Sequence, residues 1–164
     1  MIKSLSYVGI SSPTVEPWHQ FATEILGLQD VSDPAEDAVR LRMDDAVWRI
    51  AVHAGKTNAL EYIGWDVGDQ LGFDAVGSVL GDNGVDLHLA ESTLAAERSV
   101  STLGWFRDPA GFRHEISFSR HTADTPFESA QGVKFVTGDN GLGHLVLMVP
   151  VMQAVSDFFL KVLG

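Results

Sequence analysis

The spacing of apolar residues switches between two periods along the chain. Ile2 to Ile10 is an apolar, β-prone run that stops at Ser11-Ser12-Pro13, after which Val15, Trp18, Ala22, Ile25 and Leu26 recur at spacings of three and four. This predicts a strand followed by an amphipathic helix that Gly27 ends. Val39 to Met43 and Val47 to Val52 flank Asp44-Asp45 as a β-hairpin, and one more strand fits near Gly27 to Val31. A second round begins with a strand over Leu60 to Val67, then a helix carrying Phe73, Val76 and Leu80, closed by Gly81 to Gly84. Val85 to Leu89 alternates as a strand does, and Thr102 to Phe106 and Phe112 to Phe118 flank the turn Asp108-Pro109-Ala110-Gly111. The order β-α-β-β-β therefore occurs twice, which is an α+β fold of paired βαβββ modules over residues 1–119.

From 120 to 140 the pattern is lost, and this stretch reads as a connection. Beyond it the opening segment returns. Tyr7 to Gly27 matches His144 to Gly164 without a gap, at a constant offset of 137 residues (7 to 144). Pro13 meets Pro150, Phe21 meets Phe158, Leu26 meets Leu163 and Gly27 meets Gly164, with apolar residues matched between them. Residues 141–164 thus read as the start of a second domain, a strand from His144 followed by a helix. That helix is expected to have no sheet of its own to pack on, and the chain is expected to be a fragment of a longer protein.

Composition narrows the chemistry. Twenty-two acidic against eleven basic residues give a net charge of −11, which repels phosphate backbones and argues against nucleic acid as a partner. There is no cysteine, so any metal must be held by nitrogen and oxygen. The first residues do not have the make-up of a signal peptide and no apolar run reaches membrane-spanning length, so a cytoplasmic protein without a membrane partner is expected. Among the six histidines, His144 follows the glycine-rich turn Gly141-Leu142-Gly143 at the start of the expected strand. Its surroundings alone allow two readings, a rim histidine satisfied by a hydrogen bond or a ligand for iron, manganese or zinc. His114 and Glu115 are adjacent on a strand, point to opposite faces and cannot chelate one ion together, so both are read as structural. The tryptophans Trp18, Trp48, Trp65 and Trp105 are read as packing residues.

Phe135-Val136-Thr137-Gly138-Asp139-Asn140-Gly141-Leu142-Gly143-His144, followed by Val149-Pro150 and Val162-Leu163-Gly164, resembles the domain junction of type I extradiol dioxygenases, ring-cleaving enzymes related to 2,3-dihydroxybiphenyl 1,2-dioxygenase. Leu5 to Gly9, Leu26-Gly27-Leu28, Trp48 to Val52, and Asp108 to Gly111 before Glu115-Ile116 extend the resemblance over nearly the whole chain. It implies the vicinal oxygen chelate (glyoxalase/bleomycin resistance) architecture with two domains per subunit. It also implies iron(II), with manganese(II) as the alternative, held by two histidines and a glutamate in the second domain, a catecholic substrate, dioxygen, and assembly into a homo-oligomer. On this resemblance His144 matches the first metal ligand, and Val146, two residues on and on the same strand face, lines the oxygen or substrate pocket. The equivalent positions of the amino-terminal domain are Tyr7, Tyr62 and Glu115, a poor iron(II) set, so that domain is expected to be non-catalytic with its cleft filled by side chains. The alternative is a metal-independent binding or resistance-type protein of the same fold that sequesters an aromatic compound.

Overall fold

A computed structural model describes residues 2–163, so Gly164, the last match of the repeat, lies outside the described residues. The chain forms two compact units, Tyr7–Glu61 with His121–Gly138, and residues 2–6 with Tyr62–Arg120 and residues 139–163. In the first, strand β1 (Ser4–Ser12) leads into helix α1 (Pro17–Gln20), whose last turn widens into a π-helix over Phe21–Ile25. Gly27 closes this helix at φ +71°, a conformation that favours glycine. Strands β2 (Gln29–Asp30), β3 (Ala38–Arg42) and β4 (Ile50–Ala54) follow, giving the strand order β2-β3-β4-β1. β1 runs parallel to β4 with Val8 opposite Ile50 and Ile10 opposite Val52. Val39, Leu41 and Val52 meet Ala22 and Leu28 in one core, with Trp18, Ile10 and Phe135 around it. All five residues of β3 are buried, because the sheet is covered on both faces.

The second unit repeats the plan with β5 (Ala59–Asp66), α2 (Gln70–Asp82), β6 (His88–Leu89), α3 (Ser92–Glu97), β7 (Val100–Arg107) and β8 (Arg113–Arg120), ordered β5-β8-β7-β6. Asp69 caps α2 by accepting from the Gly72 amide at 2.9 Å, and Phe73, Val76 and Leu80 form its buried face. β5 again runs parallel to β8, with Ile63 opposite His114. Registers of the two units can be laid on each other, Tyr7 on Tyr62 and Ile50 on His114, and the hairpin turns then coincide. Asp44 and Asp108 each accept from the amide two residues on, Ala46 at 3.1 Å and Ala110 at 2.9 Å. This Asx turn fixes both hairpins and shows the module duplication at the level of single hydrogen bonds.

One expectation is corrected. The strand expected from His144 is absent: residues 144–149 form no strand, and only Gly141 pairs, as a parallel bridge to Leu5. A strand needs a neighbour for its amides and carbonyls, and among the described residues 144–149 has none. The helix that follows has no sheet of its own module and packs on the core of the β5–β8 module instead. Helix α4 (Met152–Phe158) also ends in a π-helical turn, Phe159–Leu163, and Val162 enters the core with Val67, Phe73, Leu80, Phe106 and Ile116. Both α1 and α4 thus end in a π-turn, at places one residue apart in the 137-residue register (21–25 and 159–163). Val85 to Leu89 forms a shorter strand than expected, and α3 has no counterpart in the sequence reading. Val162→Asp would place an unpaired charge in this core and is expected to lower stability by roughly 3 kcal/mol or more in urea unfolding; an unchanged midpoint would show that α4 does not dock.

Candidate functional site

His144 lies in an exposed, extended segment and makes no hydrogen bond or ion pair with the described residues. Val146 is 81% exposed, so no pocket wall surrounds it among the described residues. Gly141 precedes them at φ +59° with its α-carbon against the Leu5 carbonyl, where a Cβ would sit 2.3 Å from that oxygen. Only glycine lets the chain pass so close to the Leu5 carbonyl there. An accessible imidazole suits a metal that prefers nitrogen, but one imidazole is a third of a facial set. Among the described residues no three His, Asp or Glu side chains are grouped to hold a metal ion.

The equivalent positions in the complete modules are buried and occupied. Tyr7 is fully buried with its ring 5.2 Å from that of Trp48. Arg40 lies 4.7 Å from the centre of the Trp48 ring and holds Glu36 through Nε and Nη2 at 3.1 and 3.0 Å. In the other unit Tyr62 carries the Arg98 guanidinium 3.8 Å above its ring. Glu115 is fully buried and accepts from Arg98 Nε and Arg113 Nε, each at 2.9 Å. These side chains fill the faces on which Tyr7, Tyr62 and Glu115 stand, and the set does not fit a metal: a guanidinium already satisfies the carboxylate.

His114 is also fully buried, on the opposite face of β8 from Glu115. Trp65 Nε1 donates to its Nδ1 at 3.0 Å, which assigns the ring proton to Nε2, and Nε2 donates to Asp108 at 3.3 Å. Phe106 and Phe159 pack against the ring, both at 5.3 Å between centroids. His114 is therefore a packing residue.

One cluster escaped the sequence reading. His19 Nδ1 pairs with Asp30, whose other oxygen accepts from the Ser32 amide at 3.0 Å and from its hydroxyl. Burial opposes ionisation of Asp30, but the hydrogen bonds from Ser32 and His19 outweigh it and hold the carboxyl below its usual range. The pair lines an open cavity of about 640 Å³ with Asp33, Glu36 and Asp37. His19 and Asp30 are 11 residues apart on a helix and a strand, and no local spacing signals their contact.

Comparison with known proteins places these features. The family profile described as dihydroxybiphenyl dioxygenase BphC D1 matches residues 5–55. The biphenyl-2,3-diol 1,2-dioxygenase of Sphingomonas paucimobilis is 34% identical over 162 residues, covering 96% of this chain and 54% of its own length. The 1,2-dihydroxynaphthalene dioxygenase of Pseudomonas sp. strain C18 is 39% identical over 158 residues, covering 94% and 52%. The chain spans about half the length of the curated relatives it matches. Among solved structures, BphC, described as a halotolerant catechol dioxygenase, superposes over 100% of this chain and 55% of its own with a TM-score of 0.93 at 39% identity. A Mn(II)-bound glyoxalase from Novosphingobium aromaticivorans shares the fold, covering 99% of this chain and 53% of its own, with a TM-score of 0.76 at 18% identity. The paired-module fold is that of the glyoxalases and extradiol dioxygenases. No helix among the described residues is long and apolar enough to cross a membrane.

The Asp108–His114 contact generates a pH prediction. Burial opposes ionisation of Asp108, yet the hydrogen bonds from His114, the Phe112 amide and the Ala110 amide hold it below the ordinary 3.8. A carboxyl lowered in this way binds fewer protons folded than unfolded, so its contribution is full above pH 3.8 and is lost as the pH falls through the folded value. Asp108→Asn is expected to flatten the decline of the urea midpoint below about pH 4; an unchanged acid slope would contradict this assignment.

Proposed function

Because the chain is a relative of the extradiol dioxygenases of the vicinal oxygen chelate superfamily, matched over nearly all its own length and about half of theirs, we propose that it is the amino-terminal half of a ring-cleaving dioxygenase and carries the first metal ligand, His144. The observation that supports this best is the gap-free repeat. It sets His144 opposite Tyr7, a residue on β1 that faces the filled interior of its module. A strand completed from 144 onward would present the imidazole in the same inward direction, with Val146 beside it on the same face. The residues of the complete modules are a scaffold, residues 1–119 forming the non-catalytic domain, 120–140 the connection, and 141–164 the opening of the catalytic domain.

On this reading the relatives imply a catalytic metal, which we assign as iron(II), with manganese(II) as the alternative. A facial set of two histidines and a carboxylate leaves open positions, and a metal there lowers the pKa of a bound diol and makes the ring electron-rich toward dioxygen. His144 supplies a neutral nitrogen to that set, and the Gly141 turn fixes where its backbone starts. Two further ligands belong to sequence outside this chain. The substrate class is a catechol, opened next to its diol in the breakdown of aromatic compounds, by a cytoplasmic homo-oligomer. The alternative of a metal-independent protein sequestering an aromatic compound draws no support from the His19 cavity, whose polar lining is carboxylates, a serine and a histidine, with no Phe, Tyr or Trp.

The test compares two proteins under anaerobic iron(II) loading followed by oxygen. The 164-residue chain is expected to cleave 2,3-dihydroxybiphenyl no faster than free iron. The longer protein is expected to cleave it, and His144→Ala in that protein to lose more than the roughly 10- to 100-fold typical of an outer-shell partner. Turnover by the isolated chain, or an active His144→Ala enzyme, would overturn the reading.

A further inference from the structure

Glu115 is a fully buried carboxylate in a unit whose duplicate manages without one. Overlaying the β1–β4 and β5–β8 registers sets Ala51, fully buried and needing no partner, on Glu115. A carboxylate without water must be neutralised by a cation held in good geometry. The unit contains a device for this. α3 fills the connection from β6 to β7, whereas the matching connection from β2 to β3 has no helix. The residue that caps the C-terminus of α3 is Arg98.

The geometry points to Arg98 as the resident cation of this face: its guanidinium is the fixed counter-ion of Glu115 and stands where that carboxylate would otherwise recruit a metal, so this half of the fold is closed to metal. Arg98 Nε donates to Glu115 Oε2 at 2.9 Å, and Arg113 Nε takes Oε1 at the same distance, so both carboxylate oxygens are occupied. The guanidinium carbon lies over the Tyr62 ring, 3.8 Å from its centre, a cation–π contact. Glu97, more than half exposed, approaches Arg98 Nη1 at 3.5 Å. The Arg98 carbonyl accepts from Arg120 Nη1 at 3.2 Å, which ties down the backbone from which the cation is delivered. Arg98 is only 6% exposed and cannot swing into water without uncovering Glu115. It is a positioning residue, and its role stands whatever becomes of His144.

Arg98→Lys and Arg98→Met, each with Glu115 and with Glu115→Gln, separate a need for charge from a need for volume. With Glu115 present the lysine variant is expected to melt above the methionine variant by roughly 10 °C, or to fold where methionine does not. In the Glu115→Gln background this order is expected to vanish or reverse. The melting of the unsubstituted chain is expected to ignore both EDTA and added manganese(II). A methionine variant that melts as high as lysine beside an intact Glu115 would overturn the proposal. So would a chelator-induced fall in melting that Glu115→Gln abolishes, since that would place a metal on the carboxylate.

Discussion

Each unit depends on one pairing: the strand that opens a module lies parallel to the strand that closes it, β1 against β4 and β5 against β8. Val8 meets Ile50, about 42 residues later, and Ile63 meets His114 about 51 later. Such non-local pairing must carry the loss of freedom in the loop it closes, and here the apolar burial on both strand faces offsets that cost. Val52 and Ile116 are both fully buried, so the closing strand is at once a hydrogen-bonding partner and a core layer. Everything placed on the module faces, Tyr7 against Trp48 or Glu115 between two arginines, is positioned by that register.

The same constraint accounts for the disposition of His144. Its segment repeats the apolar spacing of β1 but none of the described residues closes its module, so its amides stay unpaired and most of its side chains stand exposed. The helix that follows is less demanding, because a helix satisfies its own backbone and needs only an apolar surface. α4 finds one on the core of Phe73, Phe106 and Ile116. Strand and helix from one repeat therefore behave differently in one chain.

Much of this was legible in the sequence because the signals are local or repeated. Period-two and period-3.6 patterns located the long strands and α2, and the 137-residue offset exposed the second copy. What escaped detection was short or non-local. α3 is six residues long, and the contacts of Arg98 with Tyr62 and Glu115 span three elements. The sequence reading took Tyr7, Tyr62 and Glu115 together as a poor iron(II) set, but Arg98, which pairs with Glu115, comes from a segment with no motif. The pairing of His19 with Asp30 was missed for the same reason. A signal did exist for the hairpins: Asp44-x-Ala46 and Asp108-x-Ala110, with Arg49 and Arg113 in matching places, repeat at an offset of 64 residues (44 to 108).

The central claim is that 144–149 is a β-strand in waiting, which becomes one and fixes His144 only when its closing strand is present. Amide hydrogen exchange tests it most directly. In the 164-residue chain the amides of Leu145 and Leu147 are predicted to exchange at nearly free-peptide rates while those of Val8 and Ile10 are protected, and in the longer protein both pairs are predicted to be protected. Protection of Leu145 and Leu147 in the 164-residue chain, or its absence in the longer protein, would contradict the account.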